Sequence, residues 1–188
     1  MSGVAGVLLA HGAGSGKDHP ALLAIEAALF PLPVRRFDFP YRARGGRRPP
    51  DRAPVLIASV REEAGVLAGE VGAPPGRLVL GGRSMGGRMC SMAVAEGLGA
   101  AGLVLVGYPL HPPGRPDRLR TGHLPALDVP CLFVSGTRDA FATPDELLAA
   151  TAAIPGPVHH HWVEGGRHEL RGADDEVAAA VSAWVAER

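Results

Sequence analysis

The residues best equipped to do chemistry in this chain are Ser84, Asp139 and His168, and all three occupy the same kind of position. Ser84 is the centre of Gly82-Arg83-Ser84-Met85-Gly86, directly after the apolar run Leu78-Val79-Leu80 and directly before a stretch of helical character. A serine hydroxyl is a poor nucleophile until a base removes its proton, and the base needs an acid to orient it. Asp139 in Ser135-Gly136-Thr137-Arg138-Asp139 and His168 in Glu164-Gly165-Gly166-Arg167-His168 each follow a predicted strand. The three therefore fall on loops at one edge of a sheet.

A Gly-x-Ser-x-Gly string alone says little in a chain with 26 glycines, where a plain tight turn with an incidental serine is the competing reading. Its placement between strand and helix gives it weight, because a serine on so sharp a turn needs neighbours without a Cβ. Asp128 and Asp145 are rivals to Asp139. The first precedes its strand and so lies at the wrong edge, and the second belongs to the capping box Thr143-Pro144-Asp145-Glu146. The rivals to His168, namely His159, His160 and His161, lie inside a predicted strand.

Attack on a carbonyl also needs two donors for the oxyanion, each worth about 3 kcal/mol to the transition state. The backbone N–H of Met85, the residue after the nucleophile, is one expectation. The other is Ala13, in the loop His11-Gly12-Ala13-Gly14 that follows the first strand. Tyr41, Tyr108, Leu110 and Phe141 follow strand ends and are expected to line the substrate pocket, with core packing as the alternative for each.

The elements that must hold these residues alternate regularly. Val4–Ala10, Val34–Phe39, Leu78–Gly82, Leu103–Gly107, Cys131–Ser135 and Val158–Val163 read as strands. Several are apolar nearly throughout, as parallel strands covered on both faces are. Helices are expected near Pro20–Phe30, Pro54–Glu70, Met85–Glu96, Pro144–Ala152 and Asp175–Ala186. Such alternation implies right-handed crossovers and a compact doubly wound α/β fold, a mostly parallel sheet of about six strands. No internal repeat or domain boundary interrupts it, so residues 1–188 read as one domain. The stretches Arg42–Pro54 and Tyr108–Pro130 read as loops at the strand ends, where such sheets bind ligands.

Other features carry less. Gly12-Ala13-Gly14-Ser15-Gly16-Lys17 approaches a phosphate-binding loop, but that motif needs glycine at His11 and a hydroxyl at Asp18. Of the three consecutive histidines only His159 and His161 could share an ion on a strand, and no acidic or cysteine ligand follows at zinc spacing, so no metal is expected. Arg83, Arg138 and Arg167 each precede one of the three chemical residues. They could form an electropositive rim, but pairing with surface carboxylates is the preferred reading, and the same holds for the Arg42–Arg52 run.

Lys+Arg and Asp+Glu both number 19, which points to neither nucleic acid nor an anionic membrane as partner. Lys17 is the only lysine. Cys90 and Cys131 form no disulfide framework, no leader-like or membrane-spanning stretch is evident, and a cytoplasmic location is expected.

Taken together, the His11-Gly12-Ala13-Gly14 start, Phe37-Asp38-Phe39-Pro40-Tyr41, Gly82-Arg83-Ser84-Met85-Gly86-Gly87, Gly107-Tyr108-Pro109-Leu110-His111-Pro112-Pro113 and Gly136-Thr137-Arg138-Asp139 resemble the small α/β-hydrolases related to dienelactone hydrolases and the testis-expressed hydrolase-like proteins. That resemblance implies the α/β-hydrolase fold and a hydrolase of the Ser-Asp-His triad type, read here as cofactor-free; only Tyr108–Pro130 stands where many relatives insert a helical lid, so no lid domain is expected. Dienelactone hydrolases proper use a cysteine where Ser84 stands, which argues against carrying over their substrate. The expected activity is cleavage of an ester or related acyl bond in a small, accessible substrate. A peptidase or thioesterase using the same triad, or a non-catalytic binding module on this scaffold, are the alternatives.

Overall fold

The computed structural model describes residues 3–46 and 48–188; Arg47, within the arginine-rich run, lies outside the described residues. Six strands form one sheet: β1 (Gly6–Ala10), β2 (Val34–Phe37), β3 (Leu78–Arg83), β4 (Gly102–Val106), β5 (Cys131–Gly136) and β6 (Val158–Val163), in the order β2-β1-β3-β4-β5-β6. Every pairing is parallel. The helices are α1 (Pro20–Leu29), α2 (Pro40–Ala43), α3 (Ala53–Val71), α4 (Met85–Ala95), α5 (Pro144–Thr151) and α6 (Asp174–Ala186).

Period-two alternation along the strands divides the core into two layers. Val7 and Leu9 face α1 and α6, packing with Leu22, Ile25, Val177, Val181 and Trp184. Leu8 and Ala10 face α3 and α4, packing with Ile57, Val60, Met89 and Cys90. Because both faces are covered, the central strands are buried along their whole length, and this explains their unbroken apolar runs.

Helix starts follow their local chemistry. Thr143 accepts from the Glu146 N–H while the Glu146 carboxylate accepts from the Thr143 N–H, the reciprocal cap expected there. The order of strands reverses around β1 and β3, so the loops leaving their C-terminal ends meet at one crevice. Between β4 and β5 only a short 3-10 turn, Leu124–Ala126, breaks the loop.

Two expectations need revision. The segment after β2 is not loop throughout, since Pro40 starts the short helix α2. Tyr108 and Leu110 are 1% and 0% exposed, because both side chains pack into the core layer that holds Phe133, Leu124 and Met89.

Candidate active site

The turn from β3 into α4 places Ser84 at φ 51° and ψ −119°, a conformation that side-chain-bearing residues avoid. Packing enforces it. A Cβ on Gly82 would stand 2.0 Å from the Ala10 carbonyl oxygen, and one on Gly86 would stand 2.3 Å from the same atom. Only glycines let the elbow press so closely on β1. The Ser84 N–H donates to the Val106 carbonyl at 2.8 Å, tying the elbow to β4 as well.

Loops after β5 and β6 bring the partners. Ser84 Oγ lies 2.8 Å from His168 Nε2, and His168 Nδ1 lies 2.9 Å from Asp139 Oδ2. Asp139, 2% exposed, also accepts from the Phe141 N–H through Oδ1 at 2.8 Å. The Phe141 ring stacks on His168 with centroids 3.9 Å apart, which holds the imidazole plane. Hydroxyl, imidazole and carboxylate thus stand in series, an arrangement able to move a proton off Ser84 and stabilise the resulting cation.

The loop after β1 is braced from within. The Gly12 carbonyl oxygen is 2.8 Å from His11 Nδ1 and also accepts from the Ser15 N–H and Ser15 hydroxyl, both at 3.2 Å. In a trans peptide the N–H points opposite to the C=O, so this anchoring aims the Ala13 N–H the other way. The next carbonyl, that of Ala13, accepts from the Tyr41 hydroxyl at 2.8 Å. Tyr41 is therefore a buried brace for this loop. Neither Ala13 nor Met85 has a hydrogen-bond partner for its N–H among the described residues, and Met85 heads α4, where such groups are free.

Two cavities open on Ser84, sharing Ala13, Ser84 and Phe141 in their walls. The larger, about 550 Å³, carries His168, His19, Arg83, Arg171, Glu169 and Asp174. The smaller, about 320 Å³, carries Leu56, Met85, Met89, Pro109, Arg88 and Arg120. Phe141 lines both. A cavity of about 700 Å³ behind the His168 loop does not reach Ser84.

The arginines depart from expectation. Arg138 and Arg167 are exposed but form no ion pair among the described residues. Arg83 is buried, and its guanidinium donates to the His168 carbonyl oxygen at 3.2 Å. Burial lowers its pKa, so it is a desolvated cation beside the site rather than a surface partner.

Among the described residues no group of three or more His, Cys, Asp or Glu could hold a metal ion. His161 pairs with Glu176, and His160 stacks between Phe133 and Trp162. Cys90 is buried, and desolvation pushes its thiol up to about 12, well outside reactive range. No helix among the described residues is long and apolar enough to cross a membrane.

A parallel six-stranded sheet with a serine on the turn out of a central strand is the α/β-hydrolase fold. The model of the family described as "Alpha/beta hydrolase domain" matches residues 3–183, and the chain belongs to that family. Among solved structures, an alpha-beta serine hydrolase homologue from Coxiella burnetii superposes with TM-score 0.77 at 16% identity, covering 96% of this chain and 85% of that one. A monoacylglycerol lipase from Paleococcus ferrophilus does so with TM-score 0.71 at 15% identity, covering 96% and 93%. A curated relative, the pimeloyl-[acyl-carrier protein] methyl ester esterase of Stenotrophomonas maltophilia (strain K279a), is 40% identical over 65 residues. That stretch is 35% of this chain and spans only 25% of the relative's length.

Proposed function

We propose that the protein is a serine hydrolase that cleaves an ester or related acyl bond in a small or accessible substrate, without a cofactor. The observation that carries this reading is the 2.8 Å approach of Ser84 Oγ to His168 Nε2, made from a strained elbow and backed by Asp139 on the other ring nitrogen. In this reading Ser84 Oγ adds to the carbonyl carbon as its proton passes to His168 Nε2. Asp139 orients the imidazole and stabilises its cation, while the N–H groups of Met85 and Ala13 hold the oxyanion. The bond to the leaving group breaks as His168 returns the proton to the departing oxygen. Water then attacks the acyl-serine, gives a proton to His168, and the acid leaves with Ser84 restored.

The choice of an ester draws support from the esterase relative, and the choice of an accessible substrate from the absence of a helical insert between β4 and β5. Labelling with a fluorophosphonate tests the nucleophile: wild type is expected to label and Ser84→Ala not to. Failure of the wild type to label would reject the reading. A series of p-nitrophenyl esters is expected to show the highest kcat/KM at short acyl length.

A further inference from the structure

The two cavities beside Ser84 differ in chemistry, and their geometry divides the substrate between them. His168 lines the larger and not the smaller, so a leaving group that must take the His168 proton lies in the larger. The acyl chain is left with the smaller, on the Met85 side of the elbow.

That smaller cavity has an apolar wall of Leu56, Met85, Met89 and Phe141, and two arginines, Arg88 and Arg120. Arg88 lies four residues beyond Ser84, about 6 Å farther along the α4 axis on the same face. Arg120 comes from the β4–β5 loop, and that loop is pinned. The Arg120 N–H donates to the Leu110 carbonyl at 2.7 Å, and His123 Nε2 sits 2.8 Å from Ser91 Oγ and 3.0 Å from the Tyr108 hydroxyl.

Neither guanidinium has a hydrogen bond or ion pair among the described residues, and Arg88 Nε is buried without a partner. Two like charges line this cavity against one carboxylate, Asp51, whose Oδ1 accepts from Arg44 at 2.7 Å while its Oδ2 is buried without a partner, so the lining keeps a net positive charge. The larger cavity, by contrast, balances Arg83 and Arg171 against Glu169 and Asp174. Unpaired guanidiniums lining one cavity from braced supports match a carboxylate or phosphate.

We infer that the smaller cavity is an acyl pocket for chains that end in an anion, with Arg88 and Arg120 as its receptor. The substrate class is then a half-ester: a short acyl chain esterified at one end and carrying a carboxylate or phosphate-like group at the other. The assignment of sides rests on the proposed role of Ser84 and His168; the anion receptor itself does not.

The test compares kcat/KM for monomethyl glutarate, for methyl 4-phosphonobutanoate, and for methyl 5-methylhexanoate, whose isopropyl end replaces the anion by a neutral group of like shape. Wild type is expected to prefer an anionic ester over the neutral one by roughly tenfold or more. Whichever anionic ester is faster names the group. That preference is expected to fall about tenfold in Arg120→Gln and in Arg88→Gln, and to persist in Arg115→Gln, which removes an exposed charge from the same loop. Glutarate binding to the intact protein, followed by calorimetry, separates the two ideas. Glutarate binding that Arg120→Gln abolishes upholds the receptor even if no ester is cleaved. Ester cleavage with no preference for an anion, or glutarate binding indifferent to both arginines, overturns it and leaves the hydrolase reading standing.

Discussion

His11 Nε2 accepts a hydrogen bond from the Phe39 backbone N–H at 3.1 Å, and that one contact decides the state of the buried ring. With Nε2 accepting, the proton must sit on Nδ1, where it is donated to the Gly12 carbonyl. Burial lowers the His11 pKa and keeps the ring neutral, so the tautomer is locked. The Gly12–Ala13 peptide is thereby oriented by the segment that joins β2 to α2.

From this follows a kinetic expectation for a residue that does not touch substrate. His11→Ala removes an anchor of the Gly12–Ala13 peptide; with Ala13 in its proposed oxyanion role, kcat for a short ester is expected to fall about tenfold to a hundredfold, with little change in KM. Circular dichroism and thermal denaturation check that the fold survives. An unchanged kcat in a folded variant would show that the Ala13 donor is not held by this contact.

Much of the site's frame was legible in the residues because its determinants are local. Short apolar, β-branched runs marked the strands, and β6 falls on Val158–Val163 even though three of its six residues are histidines. Ser84, Asp139 and His168 could be singled out because they stand one, three and five residues past the ends of β3, β5 and β6. Tyr108 and Leu110 stand equally close to a strand end, yet their placement depends on where a proline-broken loop turns, and here it turns back to the core. The direction of Arg83 was illegible for a similar reason: its acceptor is the His168 carbonyl, 85 residues away in the chain. The meeting of Arg88 with Arg120, and of Ser91 with Tyr108 and His123, likewise arises only when the β4–β5 loop closes on α4.

That closure carries a pH dependence. Desolvation by burial, followed by the nearby Arg88 charge, lowers the pKa of His123 from 6.5 to about 4. The folded state therefore favours the neutral ring, and the contribution is complete above pH 6.5. It is lost as the pH falls from 6.5 toward 4, because the unfolded chain takes up the proton first. His11 and His160, also lowered by burial, add the same sign in the wild type. Comparing urea midpoints of wild type and His123→Gln between pH 7 and pH 4 isolates the His123 share. The variant is expected to be less stable at pH 7 and to lose less on acidification; parallel curves would remove His123 from the account.

The elbow itself should trade stability for chemistry. Ser84 holds φ 51° and ψ −119°, a region open to glycine and costly for a residue with a Cβ. Its neighbours leave it no alternative, because Gly82 and Gly86 are pressed against the Ala10 carbonyl and the Ser84 N–H is bonded to β4. Ser84→Gly relieves that cost but loses the weak packing of one small side chain and gains unfolded-chain freedom. The net is expected to be stabilising by about 1 kcal/mol, or roughly 3 °C in Tm for a chain of this size. Ser84→Ala, which keeps the Cβ, is expected to show no such gain. Both variants should be inactive toward esters, so calorimetry distinguishes them where assays cannot. Equal Tm values for the two variants would mean that the backbone strain at Ser84 is relaxed in solution.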